Sequence, residues 1–190
     1  AASDVYKRQG YYTEKHLVNM ADYGVPQTRQ RVIIIGQRKD LGEKMLFHFP
    51  QPSYDKNALG GRQKWVTIQE AIGHLPDPDT PNNLPNHIYS AYKVEYRNFT
   101  GHRQTDPNKP SPTILARGNG KGGVCAIPHY NGKRRLSIRE SASVQTFPEN
   151  FEFHGTMNSC YRQIGNAVPV LFAEQLDKEL VRVEQEEKLP

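Results

Sequence analysis

Cysteine is nearly absent from the chain. Cys125 and Cys160 are the two among 190 residues, too few and too widely spaced for a disulfide framework or a zinc site, and both read as reduced. No stretch approaches the roughly 18 apolar residues that a membrane span needs, and no signal peptide is visible. A cytoplasmic protein is therefore expected, with no membrane partner. The seven histidines show no paired ligand spacing, so no metal is expected. A phosphate-binding loop is excluded as well. In the glycine-rich ARGNGKGG, Ala116 to Gly123, Lys121 is followed by Gly rather than Ser or Thr.

The hydrophobic fraction of 36% can build a core, while 14 prolines and 15 glycines imply much loop. The opening string AASDVYKRQ, residues 1–9, is similar to the translation of a transposase-type sequencing adapter, so the fold reading starts at Gly10. The net charge of +5 is modest, but its distribution is uneven. Between residues 98 and 135 stand Arg103, Lys109, Arg117, Lys121, Lys133, Arg134 and Arg135 against the lone Asp106. Cations among small, flexible residues suit a surface that tracks phosphates. Arg103, Lys109, Arg117 and Lys121, together with Thr113, are the candidate contacts of such a surface to a phosphate backbone.

Hydrophobic pattern and capping signals place several elements. After a short apolar piece from His16 to Met20 and a turn at Tyr23–Pro26, Val32-Ile33-Ile34-Ile35 runs without alternation, which predicts a central strand covered on both faces. Thr67 and Glu70 form a capping box that opens a short helix ended by Pro76. Ser137 and Glu140 form another, whose helix runs to about Thr146 before Phe147-Pro148 stops it. Short strands and loops are expected over residues 88–130. A last helix has Pro169 near its first turn, packs Val170, Phe172, Ala173, Leu176, Leu180 and Val183 inward, and frays from Glu184 to Lys188.

Three segments carry chemistry: GVPQTRQRV (Gly24 to Val32), RRLSIRESASVQTFPENF (Arg134 to Phe151) and YRQIGNAVP (Tyr161 to Pro169). In the first, Gln27-x-Arg29-x-Arg31 enters a buried strand with period two, placing three polar side chains on one face. Unpaired charge there is expensive, so the pattern calls for an anionic or hydrogen-bonding ligand. In the third, Gly165-Asn166 just before the final helix would turn amides toward a helix N-terminus, a geometry that suits a carboxylate.

In this order and spacing the three segments resemble the last conserved blocks of DNA cytosine-5 methyltransferases. The resemblance implies an α/β fold: the C-terminal portion of a doubly wound, S-adenosylmethionine-dependent methyltransferase sheet with an inserted target-recognition domain. It divides the chain into residues 10–45 (end of the catalytic domain), 46–135 (target recognition), 136–160 (recognition scaffold) and 161–190 (return to the catalytic domain). It also implies that Arg31 contacts a flipped-out cytosine while Arg29 and Gln27 brace the site, and that Asn166, Ala167 and Val168 line the methionine end of the S-adenosylmethionine pocket. Many relatives have Ser where this chain has Ala167, which removes one hydroxyl contact. Arg139 and Glu140 are implied to be structural.

In such enzymes the base leaves the duplex because stacking covers the ring face that is attacked. A thiolate adds at C6, a carboxylic acid protonates N3, and C5 takes the methyl group. The FxGxG loop, the Pro-Cys-Gln turn and the Glu-Asn-Val strand end are absent from this sequence. The thiol and the acid would therefore lie upstream of Gly10, and Cys125 and Cys160 read as ordinary small residues. The expectation is a C-terminal fragment of a restriction-modification enzyme, inactive alone and monomeric at full length, with double-stranded DNA as partner and a companion restriction endonuclease as an open one. A tRNA cytosine-5 methyltransferase and a non-catalytic DNA-recognition subunit of a split enzyme are the alternatives.

Overall fold

The computed structural model describes residues 9–92, 94–95, 104–116 and 127–187. Strands β1 (Tyr11–Asn19) and β2 (Gln30–Arg38) form an antiparallel pair in which Tyr11 faces Arg38 and Asn19 faces Gln30. A 3-10 turn, Met20–Tyr23, connects them and ends at Gly24, whose φ of 82° favours glycine. Two short strands, β3 (Tyr54–Asp55) and β4 (Gln63–Lys64), pair in parallel. Among the described residues four helices follow: α1 (Ile68–Ile72), α2 (Ile138–Val144), α3 (Met157–Asn166) and α4 (Val170–Glu187).

Both capping boxes form as the sequence indicates: the side chains of Thr67 and Ser137 accept from the backbone N–H of Glu70 and Glu140, whose carboxylates reach back. The helices end sooner than expected. α1 stops before Gly73, ahead of Pro76, and α2 stops before Gln145, because Thr146 adopts a φ of 60°. α4 stays helical through Glu187 rather than fraying from Glu184. Of its expected inward stripe, Phe172 is buried while Leu180 is exposed.

Apolar residues gather in two clusters. The hairpin cluster joins Val18, Met20, Tyr23, Val25, Phe47 and Phe49 to Phe172 of α4, with Ile33, Ile35, Leu176 and Val183 at its margin. The helical cluster packs Ile68 and Ile72 of α1, Ile138, Ala142 and Val144 of α2, and Cys160, Tyr161 and Ile164 of α3 around Ile114, Ile127 and Leu136.

The expectation for Val32–Ile35 needs correction. Ile33 and Ile35 pack on the hairpin core, but Val32 and Ile34 are 56% and 41% exposed beside Leu17 at 73%. Among the described residues this sheet has two strands, so one face of β2 meets no covering layer. Four consecutive β-branched residues do not tell how many faces are covered.

A second correction concerns the basic segment. Arg134 and Arg135 are buried, not spread on the surface. Arg134 binds both oxygens of Glu140 at 2.7 Å, and Glu140 also accepts from the Ser137 backbone N–H. Two charges out of water are tolerated here because each oxygen finds a donor; removing one partner of such a pair typically costs about 3–5 kcal/mol. Arg139 is also internal, donating to the carbonyls of Pro85, Pro148 and Phe151.

Candidate functional site

The segment Pro26–Arg31 is the joint between the two clusters. Thr28 N–H donates to Ser111 O and Ser111 N–H to Pro26 O, each at 2.9 Å, forming a parallel bridge between Gln27 and Ser111. Gln27 is fully buried. Its carbonyl accepts from Ile114 N–H at 2.8 Å and its amide donates to Gln145 Oε1 at 3.0 Å. Arg29, 7% exposed, donates to Ile114 O at 3.0 Å and to Gly165 O at 3.1 Å. Gly165 lies in the last turn of α3, where carbonyls lack intrahelical partners and a cation meets the negative end of the dipole. Burial and the nearby Arg31 cation hold the Arg29 guanidinium below its ordinary value.

The polar face expected from the Gln27-Arg29-Arg31 alternation exists, but the protein itself satisfies two of its three members. Arg31 differs. It is exposed, and its guanidinium donates to the carbonyl of its neighbour Gln30. Arg31, Thr113, Asn19, Thr28, Gln30 and Trp65 line an open cleft of about 480 Å³. Thr113 is held there by its hydroxyl, which donates to Thr28 O at 2.8 Å, and Trp65 by its indole N–H on Asp22 at 2.8 Å. A larger cleft of about 510 Å³ opens between Pro78 and Tyr92 and contains none of the expected site residues.

The third block is arranged differently from the expected turn. Tyr161 to Asn166 belong to α3, so Gly165-Asn166 closes one helix instead of preceding the next. A Cβ on Gly165 would sit 2.5 Å from Ala116 N and from Leu115 C and O; the glycine is there for close approach. The leading amides of α4 are also occupied: Val170 N–H donates to Gln145 O at 3.1 Å and Leu171 N–H to Thr146 Oγ1 at 2.9 Å. The carboxylate site expected at that helix N-terminus is therefore filled by the protein. What the turn presents outward is the exposed Asn166, the half-buried Ala167 and Val168, 54% exposed.

Among the expected DNA contacts, Arg103, Arg117 and Lys121 lie outside the described residues, as does Cys125. Lys109 is exposed and 2.9 Å from Asp106, a surface pair of little energetic weight. Cys160 is buried in the helical core, where loss of hydration raises its thiol pKa and disfavours a thiolate. Among the described residues no group of His, Cys, Asp and Glu is arranged to hold a metal, and no helix is long and apolar enough to cross a membrane.

Gln145 was not singled out by sequence reasoning. It is fully buried and joins all three blocks, accepting from Gln27 and donating to Ile164 O at 2.8 Å. No local pattern marks it, because its partner Gln27 is 118 residues away.

Residues 3–182 match the family model of C-5 cytosine-specific DNA methylases. Type II methyltransferase M.NgoFVII of Neisseria gonorrhoeae is 32% identical over 199 residues, 94% of this chain and 52% of the relative. M.MthTI of Methanothermobacter thermautotrophicus is 36% identical, over 90% of this chain and 56% of the relative. The chain thus spans about half the length of the curated relatives it matches. Among solved structures, S. pombe Dnmt2 methyltransferase superposes with a TM-score of 0.57 at 16% identity, covering 99% of this chain and 63% of that one. The Entamoeba histolytica methyltransferase EhMeth superposes with a TM-score of 0.56 at 15% identity, covering 95% and 56%.

Proposed function

Because the chain belongs to the C-5 cytosine-specific DNA methylase family, we propose that it is the C-terminal part of a DNA cytosine-5 methyltransferase of restriction-modification type. One observation carries this reading. The three blocks meet at Gln27, Arg29, Gln145 and Gly165, and the meeting leaves Arg31 and Thr113 on an open cleft and Asn166–Val168 facing outward. The relatives' name, type II methyltransferase, favours duplex DNA over tRNA as substrate.

In this reading Arg31 holds the flipped-out cytosine. A guanidinium on a strand end, anchored at one nitrogen to Gln30 O, keeps planar donors to offer a base. Thr113 faces the same cleft and contacts the backbone beside that base, while Lys109 and the basic residues Arg103, Arg117 and Lys121 track phosphates. Asn166, Ala167 and Val168 form one wall for S-adenosylmethionine, which supplies the methyl group when bound. They fit part of that group: the exposed Asn166 amide makes no side-chain hydrogen bond among the described residues, and the adjacent Val168 offers an apolar surface. The nucleophilic thiol and the proton donor would come from an upstream part, which would also continue the sheet over Leu17, Val32 and Ile34.

The test is methyl transfer from tritiated S-adenosylmethionine to cytosine-containing duplex. The purified chain alone should give none, and a polypeptide joining it to its upstream half should methylate C5. Transfer by the chain alone would overturn the fragment reading; transfer to tRNA but not to duplex by the joined polypeptide would overturn the substrate.

A further inference from the structure

We infer that Gln145 is a positioning residue for the methyl transfer proposed above, and rests on that reading: it fixes the arginine loop and the Asn166–Val168 turn in one register. The hydrogen bonds run in a single sense. Ile114 N–H can only donate, so Gln27 must turn its carbonyl oxygen toward it, at 2.8 Å. The Gln27 amide nitrogen then faces Gln145, which must answer with Oε1, at 3.0 Å. That leaves the Gln145 amide nitrogen for an acceptor, and Ile164 O takes it at 2.8 Å. Neither amide can flip without placing two donors or two acceptors against each other in a dry interior.

The same short stretch also grips the far side of the turn. Gln145 O accepts from Val170 N–H and Thr146 Oγ1 from Leu171 N–H. Thr146 does so with a φ of 60°, a conformation that a β-branched residue holds only when its surroundings impose it. Residues 145–146 thus hold both α3 and α4 at the two ends of the exposed Asn166–Val168 turn, and through Gln27 they hold the loop that carries Arg29 and Arg31. Gln145 touches neither cleft itself. It acts through what it holds.

In the enzyme joined to its upstream half, Gln145→Met and Gln27→Met keep the volume but remove the relay. Each should lower the single-turnover rate about tenfold to a hundredfold, the scale of a sub-ångström to ångström misplacement. Duplex affinity should stay near wild type, because most of it comes from phosphates. Equilibrium binding of S-adenosylmethionine should weaken, and the double variant should be no worse than either single one, since both cut one relay. A melting drop with normal rate per folded enzyme and normal cofactor binding would overturn the inference, as would losses that multiply in the double variant. If Gln145→Met does not fold, Gln27→Met alone decides by the same readings. Wild-type enzyme that transfers no methyl group would instead overturn the parent reading and this inference with it.

Discussion

Adding one methyl group at Gly165 should destabilise the fold although it improves a helix residue. Alanine in place of glycine inside a helix normally gains about 0.8–1 kcal/mol, and less at position 165, which precedes the last residue of α3. Against that stands steric conflict. The new Cβ would lie 2.5 Å from three backbone atoms of Leu115 and Ala116, and backbone inside a packed joint cannot rotate away as a flexible side chain can. Overpacking of this kind costs about 1–3 kcal/mol, so a net loss of about 1–2 kcal/mol is expected. At this chain size that lowers the melting temperature by about 2–8 °C. The displacement would also fall on the acceptors of Arg29, Ile114 O and Gly165 O. Calorimetry of Gly165→Ala beside the unaltered chain tests the argument, and an equal or higher melting temperature would refute it.

Arg31→Ala in the enzyme joined to its upstream half should lower single-turnover methyl transfer by about 10²–10³-fold, the scale of losing one preorganised donor, with little change in melting temperature because Arg31 is exposed and, among the described residues, bonds to Gln30 O alone; Arg31→Lys should recover part. A large melting drop with a normal rate per folded enzyme would return Arg31 to a structural role. Burial holds the His129 imidazole below its ordinary value, opposed by Glu140 and reinforced by Arg134. Its folded pKa being the lower one, this contribution to stability is present above the unfolded value of about 6.5 and is lost as pH falls through the folded value. Melting temperatures measured from neutral pH to about 5 should therefore fall less steeply in His129→Gln, and parallel slopes would dismiss the assignment.

What the sequence disclosed was local. Thr67 with Glu70 and Ser137 with Glu140 declare their helices because donor and acceptor lie three residues apart. Helix ends were harder, since Thr146 stops α2 with a backbone angle that tertiary contacts to α4 impose. Charge counting likewise treated Arg134 and Arg135 as surface cations; the bidentate Glu140 partner shows only when the chain folds back on itself. Gln145 was silent for the same reason.

Arg29 and Arg31 show how one motif divides its work. They are two residues apart and of one type, yet Arg29 donates to carbonyls from the 114 segment and from α3, while Arg31 stays at the cleft. The difference is depth. A buried guanidinium must find acceptors for its donors or pay desolvation, so Arg29 ties the two clusters together wherever those carbonyls are offered. That tie, with Gln27 beside it, fixes where β2 begins. Two residues on, where the strand has begun, Arg31 needs no such partners: it lies at the open cleft in contact with water, with one guanidinium nitrogen on Gln30 O.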